Sequence, residues 1–174
     1  MEVSLFDKSN NQYINEAAEL LEITFDCYKG RGKEQVKKYL GDERIALMAI
    51  ENNHLIGFVG ATPLYGKTTW ELHPLFVKDD CRSKGVGTKL VNALETECKT
   101  RGCITVYFGS DDENHSTSLG CTDLYVDTYE KIMNIENFKN HPFEFYQKAG
   151  YKIVGVVPDA NGLGKPDILM AKRI

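Results

Sequence analysis

Asp79-Asp80-Cys81-Arg82-Ser83-Lys84-Gly85-Val86-Gly87-Thr88-Lys89 joins two stretches of different periodicity. Before it, Thr68 to Val77 reads as a strand. After it, from Gly87, Leu90, Val91, Leu94 and Cys98 recur on one face of a helix that Arg101-Gly102 stops. A glycine-containing turn opening onto a helix suits a phosphate. Free N–H groups point out of the first turn, the helix dipole favours negative charge there, and Gly85 and Gly87 let oxygens reach the main chain. Lys78, Arg82, Lys84 and Lys89 concentrate positive charge here, although the chain carries a formal net charge of −4. The dinucleotide pattern G-x-G-x-x-G fails because Leu90 stands where its third glycine belongs, and the P-loop pattern is absent.

Outward from this turn the chain alternates strands and helices. Glu2 to Phe6 is a short strand, and Ile14, Ala17, Ala18, Leu20 and Leu21 mark a helix behind Ser9-Asn10-Asn11. Glu34 to Leu40 is a weaker helix closed by Gly41. Ile45 to Ile50 and Leu55 to Leu64 form a hairpin about Glu51-Asn52-Asn53-His54. Pro74 interrupts the fourth strand, where a missing N–H demands a bulge or splay. Cys103 to Phe108 is the fifth strand. Gly109 to Asn140 is polar, with a helical hint at Tyr129, Ile132, Met133 and Ile135. Pro142 occupies a helix N1 position before a helix from Phe143 to Ala149 closed by Gly150, and Tyr151 to Val157 and Ile168 to Ala171 are the last strands. Pro158, Gly162, Gly164 and Pro166 make their connection a loop. This is one mixed α/β domain, residues 1–174.

With 174 residues, 42% hydrophobic and 26% charged, the chain fits a globular domain rather than a disordered or repetitive one. The aliphatic run Ile45 to Ile50 is far short of the roughly 18 to 20 residues that cross a bilayer, so no membrane partner is expected. Met1 to Asp7 lacks the basic flank and apolar core of a secretory signal, and a cytoplasmic protein is expected. Five scattered cysteines without a C-x-x-C pair imply reduced thiols, with neither zinc nor disulfides. The acidic balance disfavours nucleic acid and fits a cationic small molecule.

Arg82-x-x-Gly85-x-Gly87, followed by Phe145-Tyr146-x-x-x-Gly150-Tyr151, resembles the GNAT superfamily of acetyl-CoA-dependent N-acetyltransferases. Four blocks narrow the resemblance to aminoglycoside 6′-N-acetyltransferases: Trp70-Glu71-Leu72-His73-Pro74-Leu75, Gly109-Ser110-Asp111-Asp112, His141-Pro142-Phe143-Glu144-Phe145-Tyr146 and Asn161-Gly162 with Lys165-Pro166-Asp167. It is dense from about Trp70 onward and looser before it. The resemblance implies the GNAT fold: a central mixed, mostly antiparallel twisted sheet of about seven strands, flanked by helices and splayed between strands four and five. It implies that Arg82, Ser83, Lys84, Gly85, Val86, Gly87 and Thr88 bind the pyrophosphate of acetyl-CoA. Pantetheine would pair with main chain at Leu75, Phe76 and Val77, and the Leu75 N–H would face the thioester oxygen.

Acetylating an amine needs a base for the ammonium, a donor for the oxyanion and a proton for the departing thiolate. Glu71, between Trp70 and Leu72, suits the base, acting directly or through water and also contacting the acceptor; its alternative is a solvated strand charge. Tyr146 matches the family tyrosine that lies near the CoA sulfur as general acid, and its alternative is core packing. His73 is expected to be a satisfied histidine with no role. Asp111, Asp112 and Glu113 supply carboxylates for a polycationic acceptor just after strand five, with Asp111 the first choice and Asp112 next; Asp123, Asp127 and Glu130 widen the rim. Phe25 and Tyr65 are walls for sugar rings or simply core. Related enzymes often carry Trp where Phe25 and Leu169 stand, which bears on acceptor preference.

The expected activity is direct transfer of acetyl from acetyl-CoA to an aminoglycoside 6′-amine in a ternary complex, without a metal or a covalent intermediate, giving antibiotic resistance. A polyamine or protein amine as acceptor, or a non-catalytic acyl-CoA sensor, are the competing readings. A homodimer is implied by the resemblance, and Ile153, Val154, Val156 and Val157 on the C-terminal strands are candidates for its interface or simply for the core.

Overall fold

Asn52 and Asn53 both adopt positive φ (52° and 62°), the conformation that a two-residue hairpin turn requires. They join Ile45–Glu51 (β2) to His54–Leu64 (β3), whose side chains are almost continuously buried as in a central strand. Glu2–Leu5 (β1) pairs antiparallel with β2, and Thr69–Val77 (β4) pairs antiparallel with β3. The computed structural model describes all 174 residues, which divide into two compact units: Met1–Val106 with Ile174, and Tyr107–Arg173. Thr105–Asp111 (β5) begins in the first unit, parallel to β4, and ends in the second. Strand order is β1-β2-β3-β4-β5 in the first unit and β5-β7-β6 in the second, making seven strands in all.

In the first unit Asn11–Thr24 (α1) is capped as its sequence predicts: the Asn10 side chain accepts from the Gln12 and Tyr13 N–H groups. Gly32–Tyr39 (α2) follows. Ile14, Ala17, Leu21, Val36 and Tyr39 meet Phe58 and Phe76 in one core, where Phe58 and Phe76 stack with ring centroids 5.1 Å apart. Val86–Thr100 (α3) buries Val86, Leu90, Val91, Leu94 and Cys98, the predicted face. It lies close to β3 at Gly57, where a Cβ would stand 2.9 Å from Leu90 Cδ1 and 3.3 Å from Val86 Cγ1. The expected irregularity at Pro74 is present: the β3–β4 register shifts between Val59 and Ala61, so that Gly60 faces His73 and Pro74.

Two boundaries differ from expectation. Cys103 does not start a strand, because its N–H donates to Cys98 O and completes the end of α3; β5 starts at Thr105 and continues to Asp111. Gly109 and Ser110 stay extended against their weak strand propensity, since Gly109 gives the space that the Asp167 carboxylate occupies.

The second unit holds Thr128–Met133 (α4), Phe143–Lys148 (α5), Lys152–Val157 (β6) and Asp167–Arg173 (β7), with β6 and β7 antiparallel. Phe108, Phe143, Tyr146, Tyr151, Ile168 and Met170 are buried here. The helical hint around Tyr129 is α4, but Tyr129 and Met133 face solvent rather than a core. The polar stretch before α5 is held by hydrogen bonds instead: Thr117 bridges to Asn137, Ser118 N–H donates to Glu136 O and Phe138 N–H to Ser116 O.

Candidate active site

The turn after β4 is built to leave main-chain donors open. Arg82 N–H donates to Asp79 O and Lys89 N–H to Gly85 O; the six N–H groups between them, Ser83 to Thr88, find no acceptor in the chain. Ser83 (φ 59°) and Gly85 (φ 81°) take left-handed conformations, and Gly85 caps α3 with no side-chain bond. Successive N–H groups turned outward at a helix start are the donor set that a pyrophosphate requires. A Cβ at Gly85 would meet no atom within 4 Å, so the positive φ, rather than crowding, asks for glycine. Arg82 is less available than its charge suggests: Nε donates to Val77 O at 3.2 Å and the guanidinium pairs with Asp79 at 3.0 Å, holding the loop. Lys78 pairs loosely with Asp80 at 3.6 Å. Lys84 and Lys89 remain as exposed, unpaired cations.

On β4, Glu71 is half-buried beside Thr62 of β3, with no ion pair or hydrogen bond to its carboxylate. Leu75 is half-buried opposite Val59, and Phe76 and Val77 are buried. His73 is partnered, as expected: its Nε2 lies 3.2 Å from the hydroxyl of buried Tyr39, which also contacts the Tyr28 hydroxyl. Phe25 ends α1 and packs edge-on against Tyr28 and Phe76, so packing is its observed role. Tyr65 corrects the other alternative. It is 82% exposed at a positive-φ turn between β3 and β4 and cannot be core.

In the second unit, Tyr146 projects from α5 onto Phe108, with ring centroids 4.1 Å apart, and is only 8% exposed. Burial pushes its phenol well above the ordinary range, which keeps the hydroxyl protonated at neutral pH. Asp111 is the exposed last residue of β5 rather than part of the following loop. Asp112 corrects an expectation. It is 1% exposed, and its two oxygens accept from Ser116 N–H (2.6 Å), Thr117 N–H (2.9 Å) and the Thr117 hydroxyl (2.8 Å). A carboxylate so saturated folds its own loop and has no oxygen turned to a ligand. Glu113, Asp123, Asp127 and Glu130 are exposed, and Asp123 also accepts from Tyr125 N–H.

Sequence reasoning assigned nothing to His141, Asn137 or Asn161, yet they converge on β5 and the start of α5. Buried His141 accepts the Phe143 N–H at Nδ1 (3.3 Å), which leaves its other nitrogen, Nε2–H, to donate to Asp111 O (3.1 Å). Asn137 brackets the main chain of His141, accepting from its N–H and donating to its carbonyl. Asn161 Nδ2 donates to Asp111 Oδ1. His141 and Asn161 stand inside the family-like blocks, which was the available signal. All five cysteines are free thiols, no group of three or more His, Cys, Asp or Glu side chains converges as a metal site, and no helix is long and apolar enough to cross a membrane.

A strand whose pairing shifts at a proline, running through an open amide turn into a helix, is the arrangement that an acyl-CoA-dependent acetyltransferase requires. The sequence model of the acetyltransferase (GNAT) family matches residues 14–131, and the chain belongs to that family. It is similar to a crystal structure of an aminoglycoside 6′-N-acetyltransferase complexed with coenzyme A, at 48% identity over 99% of this chain and 97% of that one, with a TM-score of 0.98. The aminoglycoside 6′-N-acetyltransferase from Enterococcus faecium is 49% identical over the same shares, with a TM-score of 0.96. An aminoglycoside 6′-acetyltransferase type Ii is 42% identical, again over 99% and 97%, with a TM-score of 0.81. The ribosomal-protein-S18-alanine N-acetyltransferase from Escherichia coli covers 99% of this chain and 93% of its own at 14% identity, with a TM-score of 0.69, and shares the fold alone. No curated protein matches the sequence.

Proposed function

We propose that the chain, acting as one acetyltransferase domain, moves the acetyl group of acetyl-CoA to the 6′-amine of an aminoglycoside, and that antibiotic resistance follows. The observation that carries the cofactor half is the run of six unpaired N–H groups from Ser83 to Thr88. Near-half identity to aminoglycoside 6′-N-acetyltransferases over almost the whole chain supports the acceptor.

In the proposed reaction the pyrophosphate lies on those amides, with Lys84 adding charge, and pantetheine follows the main chain of Leu75, Phe76 and Val77. Glu71 takes a proton from the acceptor ammonium, directly or through water; its lack of a protein partner leaves both oxygens free for this. The amine nitrogen attacks the thioester carbon, and the Leu75 N–H receives the developing oxyanion, a donor worth about 2.7–4 kcal/mol in comparable sites. The C–S bond then breaks, the thiolate takes its proton from the Tyr146 hydroxyl, the nitrogen gives up its second proton through water to the tyrosinate that remains, and the neutral amide and CoA leave while Glu71 returns its proton to solvent. Asp111 binds acceptor ammonium groups, with Tyr65 exposed for a sugar ring. Asp112 holds the loop behind Asp111, and Phe25 packs the end of α1. The protein works in the cytoplasm as a homodimer, for which edge strand β6 offers Val154 (58% exposed) and Val157 (44% exposed).

The test is acetyl-CoA consumption followed by mass spectrometry with aminoglycosides bearing or lacking a 6′-amine, a polyamine and a lysine peptide. Turnover confined to the 6′-amino compounds is expected. Turnover only with polyamine or peptide overturns the acceptor, and tight CoA binding without turnover on any amine overturns the catalytic reading.

A further inference from the structure

The end of β5 is held from three directions, and this points beyond Asp111 to the residue that aims it. The Asp111 carbonyl is fixed by His141 Nε2–H, the next N–H, that of Asp112, donates to Pro166 O at 2.9 Å, and the Asp111 carboxylate accepts from Asn161 Nδ2. An ionised carboxylate only accepts, so the Asn161 amide must present its NH2 to Asp111, which fixes the orientation of that amide. Asn161 is itself placed by main chain: its N–H donates to Lys165 O at 3.0 Å, inside a loop that Asp159 closes by accepting the Gly164 N–H at 2.6 Å. One Asp111 oxygen is thereby spoken for and the other, Oδ2, has no partner in the chain. Because Asp111 is exposed, water would otherwise let the carboxylate rotate among several conformations and expend binding energy on ordering.

We infer that Asn161 is a positioning residue for acceptor binding: by holding Asp111 Oδ1 it presents Oδ2, in a fixed direction, to an ammonium group of a cationic acceptor. The inference rests on the assignment of Asp111 as an acceptor contact, and the two fail separately.

The experiment measures kcat and both KM values of the full chain with acetyl-CoA and one aminoglycoside bearing a 6′-amine, for the wild type, Asp111→Asn, Asn161→Ala and the double variant. Asp111→Asn is expected to raise the acceptor KM about tenfold, as loss of a charge-assisted contact does. Asn161→Ala is expected to raise it about threefold to fivefold, with kcat and the acetyl-CoA KM unchanged. The double variant should match Asp111→Asn alone, because Asn161 acts through Asp111. An unchanged acceptor KM in Asn161→Ala, or full additivity in the double variant, overturns the positioning role while leaving Asp111 in place. An unchanged acceptor KM in Asp111→Asn overturns the contact and the inference with it. Should Asn161→Ala fail to fold, Asn161→Leu, similar in size and without a donor, makes the same comparison. Acetyl-CoA binding by calorimetry confirms that the variant compared is intact.

Discussion

The cradle at the start of α3 and the braced carboxylate at the end of β5 are both proposed to bind charge, by opposite means. Between Arg82 and Lys89 the open donors are main-chain amides, and side chains mostly shape the loop: Arg82 is occupied by Val77 O and Asp79, and Gly85 contributes its φ. Around Asp111 the restraints come from far along the chain, the Asn161 side chain from 50 residues and the His141 side chain from 30 residues away, with the Pro166 carbonyl beside them. A site made of amides can tolerate many side-chain changes and few conformational ones. A site made of side chains behaves the other way round.

The largest effect should fall in neither region. Glu71→Gln is expected to lower kcat by about 10²- to 10⁴-fold with the acetyl-CoA KM near wild type, measured by steady-state kinetics; an unchanged kcat would remove Glu71 as the base. Next, Asp112→Ala should destabilise the fold by about 3 kcal/mol, because it strands the buried donors of Ser116 and Thr117, while acetyl-CoA affinity holds. Urea unfolding with and without acetyl-CoA reads both, and a stable Asp112→Ala would break the distinction between a carboxylate that folds and one that binds. Gly85→Val should weaken acetyl-CoA about tenfold, from a strain of about 1–2 kcal/mol for a branched residue at positive φ, visible by calorimetry. Lys84→Glu should weaken acetyl-CoA only a few-fold at low salt and less at high salt, as an exposed charge is screened.

A pH experiment sharpens the second region. Burial raises the Tyr146 phenol in the folded state above its unfolded value of about 10. The stability it contributes is therefore complete below that value and is lost as pH rises beyond it. Tyr146→Phe should flatten part of the fall in stability between about pH 9.5 and 11, leaving the share of Tyr39, whose phenol burial also raises. It should separately slow turnover by removing the donor to the thiolate.

The cradle was readable because it is local: strand, glycine turn, cations and helix follow one another within a dozen residues, and short-range rules set each conformation. The hairpin at Asn52-Asn53, the Asn10 cap and the buried face of α3 were legible for the same reason. The segment from Asp112 to His141 was not, since its order comes from hydrogen bonds such as Thr117 with Asn137 rather than from periodicity. Asp112 and Asp111 are adjacent and chemically identical, so no pattern distinguishes the one that turns inward. β5 was ended too early because Gly109 and Ser110 look like a turn until Asp167 is laid over them.

Gly57 carries a consequence for anyone breeding variants of this enzyme. It lies beneath α3, and a methyl group there would press on Leu90 Cδ1, Val86 Cγ1 and the carbonyl of Phe76. A Gly57→Ala lesion should therefore be repaired by trimming Leu90, a second-site suppressor on the buried face of α3. The open amide turn can thus be retuned from below, through the helix that follows it, without altering a single residue of the turn.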